Sequence, residues 1–256
     1  MRVWRSISSS LTVAEMEARR VRHDPTELFT RLIQPALWLL IFGEVFTSIR
    51  AIDTAPYTYL QFITPGILAQ SVLFVSIFYG ITVVWERDMG LLTKLLSTPA
   101  PRFSVVAGKS LAAGVRGLLQ AVMIFVLALV LGIKLRLDPL DIAGVFFLIV
   151  INAMCFSSLS MLLAGFLKTR DRMLGIGQAM TMPLFFGSNA IYPISLMPTW
   201  LQSLAAINPL SYVVQGLRAF LLSGDYSTIP LDLAVVGVFT VVMLTGASLM
   251  IRRLVE

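Results

Sequence analysis

Gly108-Lys109-Ser110 ends as a phosphate-binding loop ends, with a lysine that would reach phosphate oxygens and a serine that would hold magnesium. The full pattern needs a glycine at position 103, where Phe103 stands, and a preceding strand, where the chain has an amphipathic helical pattern. Nucleotide binding is therefore not expected, and Lys109 reads as a basic residue at the mouth of a membrane span. Hydrolytic chemistry has no candidate either. His23 is the single histidine, it lies in a basic leader, and no G-x-S-x-G elbow occurs. Cys155 is the single cysteine and the acids in the apolar runs stand alone, so neither a disulfide within the chain nor a metal-ligand set is available. No cofactor is expected.

What remains is the chemistry of a path through a membrane. Glu44 is an acid well inside an apolar run, roughly 20 Å of helix rise beyond Thr30. Such a carboxylate either faces a bundle interior, a cavity or a subunit interface, or reaches water at the outer surface, and both readings stand. Gln70, Asn152, Gln178 and Asn189 are uncharged polar residues in or near apolar runs, suited either to interhelical hydrogen bonds or to a substrate path.

The elements that must position these residues follow from composition. A 256-residue chain that is 57% hydrophobic and 13% charged, with a mean hydropathy of +0.85, belongs in a membrane. The net charge of +6 comes from basic residues that flank apolar runs, which makes them topology signals and not a nucleic-acid surface. Six runs reach the roughly 20 apolar residues a helix needs to cross a bilayer. They are 30–49, 59–85, 110–132, 142–167, 173–192 (interrupted by Pro183, where a kink is expected) and 229–251. Residues 193–228, broken by Pro193, Pro198 and Pro209, read as short external helices that dip in and return. With both termini inside, 16 of the 20 Lys and Arg are cytoplasmic and Arg50, Lys134, Arg136 and Arg218 are outside. The expectation is an all-α integral membrane protein of six transmembrane helices, multi-pass in the inner (cytoplasmic) membrane. Residues 1–29 would form a cytoplasmic interface helix resting on membrane lipid, and 30–256 the spanning domain.

Between the second and third spans lies a charged, proline-punctuated island, Trp85 to Lys109. On a helical wheel Met89, Leu91, Leu92, Leu95 and Leu96 share an arc of roughly 160° while Gly90, Thr93, Lys94 and Ser97 face away. The pattern predicts a short amphipathic helix with Asp88 at its start, stopped by Thr98-Pro99-Ala100-Pro101. Its apolar face is expected to dock against another protein.

Glu86-Arg87-Asp88-x-Gly90 followed by Leu95-Leu96-x-Thr98-Pro99 resembles the signature loop of type 2 ABC transporter permeases. Ser188-Asn189-Ala190-x-Tyr192-Pro193, Met197-Pro198 and Asn208-Pro209-Leu210-Ser211-Tyr212, with Arg218 beyond, is similar to the external segment of the daunorubicin-resistance and nodulation-export branch. The resemblance implies an exporter's membrane subunit without its own ATPase site. A separate ABC ATPase would bind ATP and Mg, and a second permease copy or a paralogue would complete the pathway. The cargo would be hydrophobic or amphipathic: a drug, polyketide, lipid or glycolipid. It also implies that Glu86, Arg87, Gly90, Leu95, Thr98 and Pro99 form a cytoplasmic coupling helix, and that the loop containing Lys168 and Arg170 makes a second contact. The family often has Thr after the glycine and Glu two residues later, where this chain has Leu91 and Thr93. Beside this stand an ion-gradient transporter with Glu44 as its proton site, and a docking subunit that transports nothing. Glu44, Gln70, Asn152 and Asn189 are the expected substrate-path residues.

Overall fold

The computed structural model describes residues 25–49, 52, 54–97, 101–167 and 169–251. Most of the expected interface helix, together with Thr98, Pro99 and Lys168, lies outside the described residues. The elements are α1 (Pro25–Leu37), a π-helical segment (Trp38–Gly43), α2 (Glu44–Ile49), α3 (Tyr59–Asp88), α4 (Leu91–Leu96), α5 (Arg102–Val130), α6 (Pro139–Ala164) and α7 (Arg170–Phe186). They are followed by a 3₁₀ turn (Ile194–Leu196), α8 (Thr199–Ile207), α9 (Pro209–Arg218), a π-helical turn (Ala219–Ser223) and α10 (Ile229–Met250). No strand occurs among the described residues.

Five helices are long and apolar enough to cross a membrane: Thr30–Ile49, α3, α5, α6 and α10. The remaining expected span, 173–192, corresponds to α7, which has 17 residues and begins with the charged Arg170, Asp171 and Arg172. At 1.5 Å per residue it rises about 26 Å, short of a hydrocarbon layer of about 30 Å. Pro183 lies in its last turn, and the helix stops three residues later. There Asn208 Nδ2 donates to the carbonyls of Leu184 (2.7 Å) and Gly187 (3.1 Å). A side-chain amide thus satisfies orphan carbonyls that further helix would otherwise have bonded.

α3 is the centre of the bundle. Within its most apolar window 83% of residues are buried, against 17% for Thr30–Ile49, and α5, α6, α7 and α9 all pack on it. Lipid tails are as apolar as leucine, so close packing and interhelical hydrogen bonds hold such helices together. At Gly80 a Cβ would lie 2.5 Å from Ser160 Cβ and 2.7 Å from the Ser157 carbonyl oxygen, so only glycine lets α3 approach α6 this closely. Beside it Ser160 Oγ donates to the Ile77 carbonyl at 2.8 Å. The Ser110 and Ser158 hydroxyls meet at 2.8 Å between α5 and α6.

The bundle has two unlike ends. The end where α3 passes through Gly90 into α4 is the loop end. The opposite, capped end gathers the links 54–58, 131–138, 187–208 and 224–228. Here Thr58 and Gln61 form a reciprocal capping box on α3, and Gln61 Nε2 donates to the Lys134 carbonyl at 3.0 Å. Arg136 reaches Asp141 (3.1 Å) and Asp138 (3.1 Å), and Tyr226 Oη donates to Asp141 at 2.6 Å. Those bonds hold the Arg136 guanidinium above its ordinary pKa, chiefly through Asp141. The hydrogen bond to Asp141 also pushes the Tyr226 phenol upward.

Candidate functional site

At the loop end, α3 cannot run directly into α4. Gly90 sits in the left-handed region with φ of +71° and nothing within 4 Å of a Cβ built on it, so backbone conformation alone selects glycine here. Gly90 also precedes the first residue of α4. Asp88, expected to start the amphipathic helix, is instead the last residue of α3. α4 itself is six residues long.

Three ion pairs fix this turn. Lys109 Nζ, on α5, donates to Glu86 Oε1 at 2.7 Å and lies 2.6 Å from Oε2. Both residues are buried, Lys109 at 1% exposure and Glu86 at 6%. Lys109 is therefore a clamp between the end of α3 and the start of α5, and Glu86 points into the bundle. Asp88 takes Arg87 Nη2 on one oxygen at 2.7 Å and Arg170 Nε on the other at 2.8 Å. The Asp88–Arg170 pair ties the first loop to the N-terminus of α7, bringing together the two segments whose separate contacts were expected from the sequence.

The apolar arc of α4 is divided. Leu92 is fully buried, and Leu96 packs against the hydrophobic core of the chain itself. Met89 (63% exposed) and Leu91 (38% exposed) face outward with Thr93 and Lys94, and Leu95 is half-buried. The outward face is thus Met89, Leu91 and Lys94, framed by Arg87 and Leu95, and it is not the Leu92–Leu96 ridge.

The expected substrate-path residues do not share one role. Glu44 begins α2 and is exposed. Asn152 Nδ2 donates from α6 to the Ala69 carbonyl on α3 at 3.4 Å, a packing contact. Asn189 is buried in the turn after α7, where its backbone carbonyl accepts from Arg218 Nη2 at 2.7 Å. Gln70 lines a cavity between α1, α3 and α5. Arg218, named in the sequence only as part of a motif, has its guanidinium carbon 3.6 Å from the Phe62 ring centroid. It also donates to the carbonyls of Phe62 (3.3 Å) and Ala190 (3.2 Å). The sequence signal for Lys109 was available: a lysine at the start of an apolar run needs an acid near the adjoining helix end. Arg218 offered none, because its partners are backbone carbonyls.

A family described as ABC-2 type transporter matches residues 10–222. The inner membrane transport permease YadH of Escherichia coli K12 is 30% identical over 73% of this chain and 72% of its own length. The daunorubicin resistance ABC transporter permease protein DrrB1 of Streptomyces coeruleorubidus is 24% identical over 83% of this chain and 75% of its own. The protein ycf38 of Cyanophora paradoxa, named for transport-permease function, is 31% identical over 78% of this chain and 69% of its own.

Proposed function

The chain belongs to the ABC-2 type transporter family, and we propose that it is the membrane subunit of an ATP-driven exporter whose ATPase is a separate chain docked at the loop end. It is a multi-pass membrane transport permease. The observation that carries the docking is the division of α4. Leu92 and Leu96 anchor the helix in the bundle, Glu86–Lys109 and Asp88–Arg170 brace it on two sides, and Met89, Leu91 and Lys94 are left facing out. A short helix held this way is braced against α3, α5 and α7 by packing and ion pairs, so a push on it becomes a tilt of the bundle.

In this reading the ATPase holds ATP and Mg, and α7 supplies a second foothold beside Arg170. Two permease copies, or one copy and a paralogue, enclose the pathway. The exposed apolar faces of Thr30–Ile49 and α7 are the surfaces on which they meet. α7 completes six spans with the help of its flanking turn. α8 and α9 form the external cap, and both termini are cytoplasmic, as the 16 to 4 distribution of Lys and Arg supports. The cargo is hydrophobic or amphipathic, a class supported by the relative named for daunorubicin resistance.

Met89→Asp combined with Leu91→Asp should abolish co-purification of the ATPase subunit while membrane insertion and the thermal unfolding midpoint stay unchanged, because both side chains are exposed. Undiminished co-purification would remove the docking role of this face. Leu92→Asp is the wrong test, since it places a carboxylate in the chain's own core.

A further inference from the structure

A cavity of about 280 Å³ lies between α1, α3 and α5, walled by Gln34, Gln70, Gln120 and Arg31 on its polar side and by Phe74 and Phe78 on its apolar side. Gln70 stands about 16 Å of helix rise from Tyr59 and Gln120 about 15 Å from Ser110, which puts both near the middle of their spans. Gln120 is 1% exposed, and neither its amide nitrogen nor its carbonyl oxygen has a hydrogen-bond partner among the described residues. A buried amide without partners is unfavourable in any protein, and the bilayer core offers no water to relieve it. The chain nevertheless places a hydrogen-bonding group there, beside two more carboxamides.

We propose that this cavity binds an uncharged amphipathic molecule whose head carries both a hydrogen-bond donor and an acceptor, held by the Gln120 carboxamide. A carboxamide presents N–H and C=O side by side. An anionic head would pair with Arg31 or with the carboxamide N–H and in either case leave the Gln120 oxygen unsatisfied, whereas a head with hydroxyl and carbonyl groups, or an amide, matches both. The Phe74 and Phe78 rings, stacked with centroids 5.4 Å apart, provide the wall for the apolar body. The site is independent of docking at α4, so loss of ATPase binding would leave it untouched.

The test uses the full-length chain in lipid nanodiscs with three photoactivatable diazirine probes of equal chain length: a monoacylglycerol, a fatty acid and a plain alkane. The monoacylglycerol should label Gln70, Phe74 or Phe78. Gln120→Leu should lower that labelling about tenfold, the loss of roughly two hydrogen bonds, while the unfolding midpoint of the unliganded protein is unchanged or raised. Gln70→Leu provides a second variant should Gln120→Leu fail to fold. Equal labelling by the alkane, preferred fatty-acid labelling insensitive to Gln120→Leu, or no labelling at all, as for a cavity that holds only water, would overturn the proposal. Solvent extraction of the purified chain separates the sources. A co-purifying neutral lipid supports the bilayer as supplier, and its absence alongside probe labelling supports a transported cargo.

Discussion

The two ends of this bundle hold their innermost cations in different ways. At the loop end, cations meet carboxylates: Lys109 with Glu86, Arg170 with Asp88. At the capped end, where the more exposed Arg136 also pairs with Asp138 and Asp141, Arg218 lies over Phe62 and donates to three backbone carbonyls. A side-chain pair joins two helices at chosen positions and leaves the surrounding backbone free to turn outward. An arginine fork on carbonyls instead freezes a turn that has no regular secondary structure, because it supplies donors where the helix ladder has ended. One end is braced so that a docking face stays available, and the other is closed over itself.

That contrast can be broken most severely at Lys109. Lys109→Ala leaves Glu86 buried without its cation and should cost about 3–5 kcal/mol, read as a large fall in the unfolding midpoint in detergent. Lys109→Met with Glu86→Leu should recover most of it; a double variant as unstable as the single one would mean that the pair does more than cancel its own burial. Arg218→Ala comes next, with a loss of about 2–3 kcal/mol and accelerated hydrogen exchange confined to residues 187–192. Arg218→Lys should rescue only part of this, since an ammonium cannot lie flat on Phe62 while reaching three carbonyls.

Tyr226→Phe sharpens the capped end at smaller cost, raising exchange in residues 224–228 while α6 and α10 stay protected. The sign of the accompanying pH effect is fixed by the upward shift of the phenol. Its bond to Asp141 is intact below the ordinary tyrosine pKa of 10.0 and is lost as pH rises through the higher folded value. An ultraviolet titration of wild type against Tyr226→Phe should show one late-ionising tyrosine disappear. The smallest effect is Asp88→Asn. An exposed pair contributes little stability, so the unfolding midpoint should not move, while exchange at 87–90 rises as α3 and α7 uncouple at the loop end.

Membrane class, five of the six expected spans and the amphipathic island were legible because they rest on local regularities: apolar run length, charge asymmetry and helical spacing. The family was legible too, through Glu86-Arg87-Asp88-x-Gly90 and Leu95-Leu96. The orientation of α4 was not. A helical wheel places Leu92 and Leu91 on one arc, but only the bundle beneath decides that Leu92 turns inward and Leu91 outward. The assignment of Glu86 as an outward contact failed to anticipate its burial for the same reason: its partner lies 23 residues away on another helix. α7 ended short of the expected span because Asn208, from a later segment, takes up its terminal carbonyls.

By itself the sequence determined that this chain is an α-helical membrane protein with a charged turn between two long helices, since chain-local patterns of apolarity and charge dictate both. Tertiary structure alone decided which face of that turn points outward, what Lys109 and Arg218 meet, and that Gln120 lies buried at a cavity wall without partners among the described residues. Those are properties of pairs of helices, and no spacing along one helix encodes where another will come to rest.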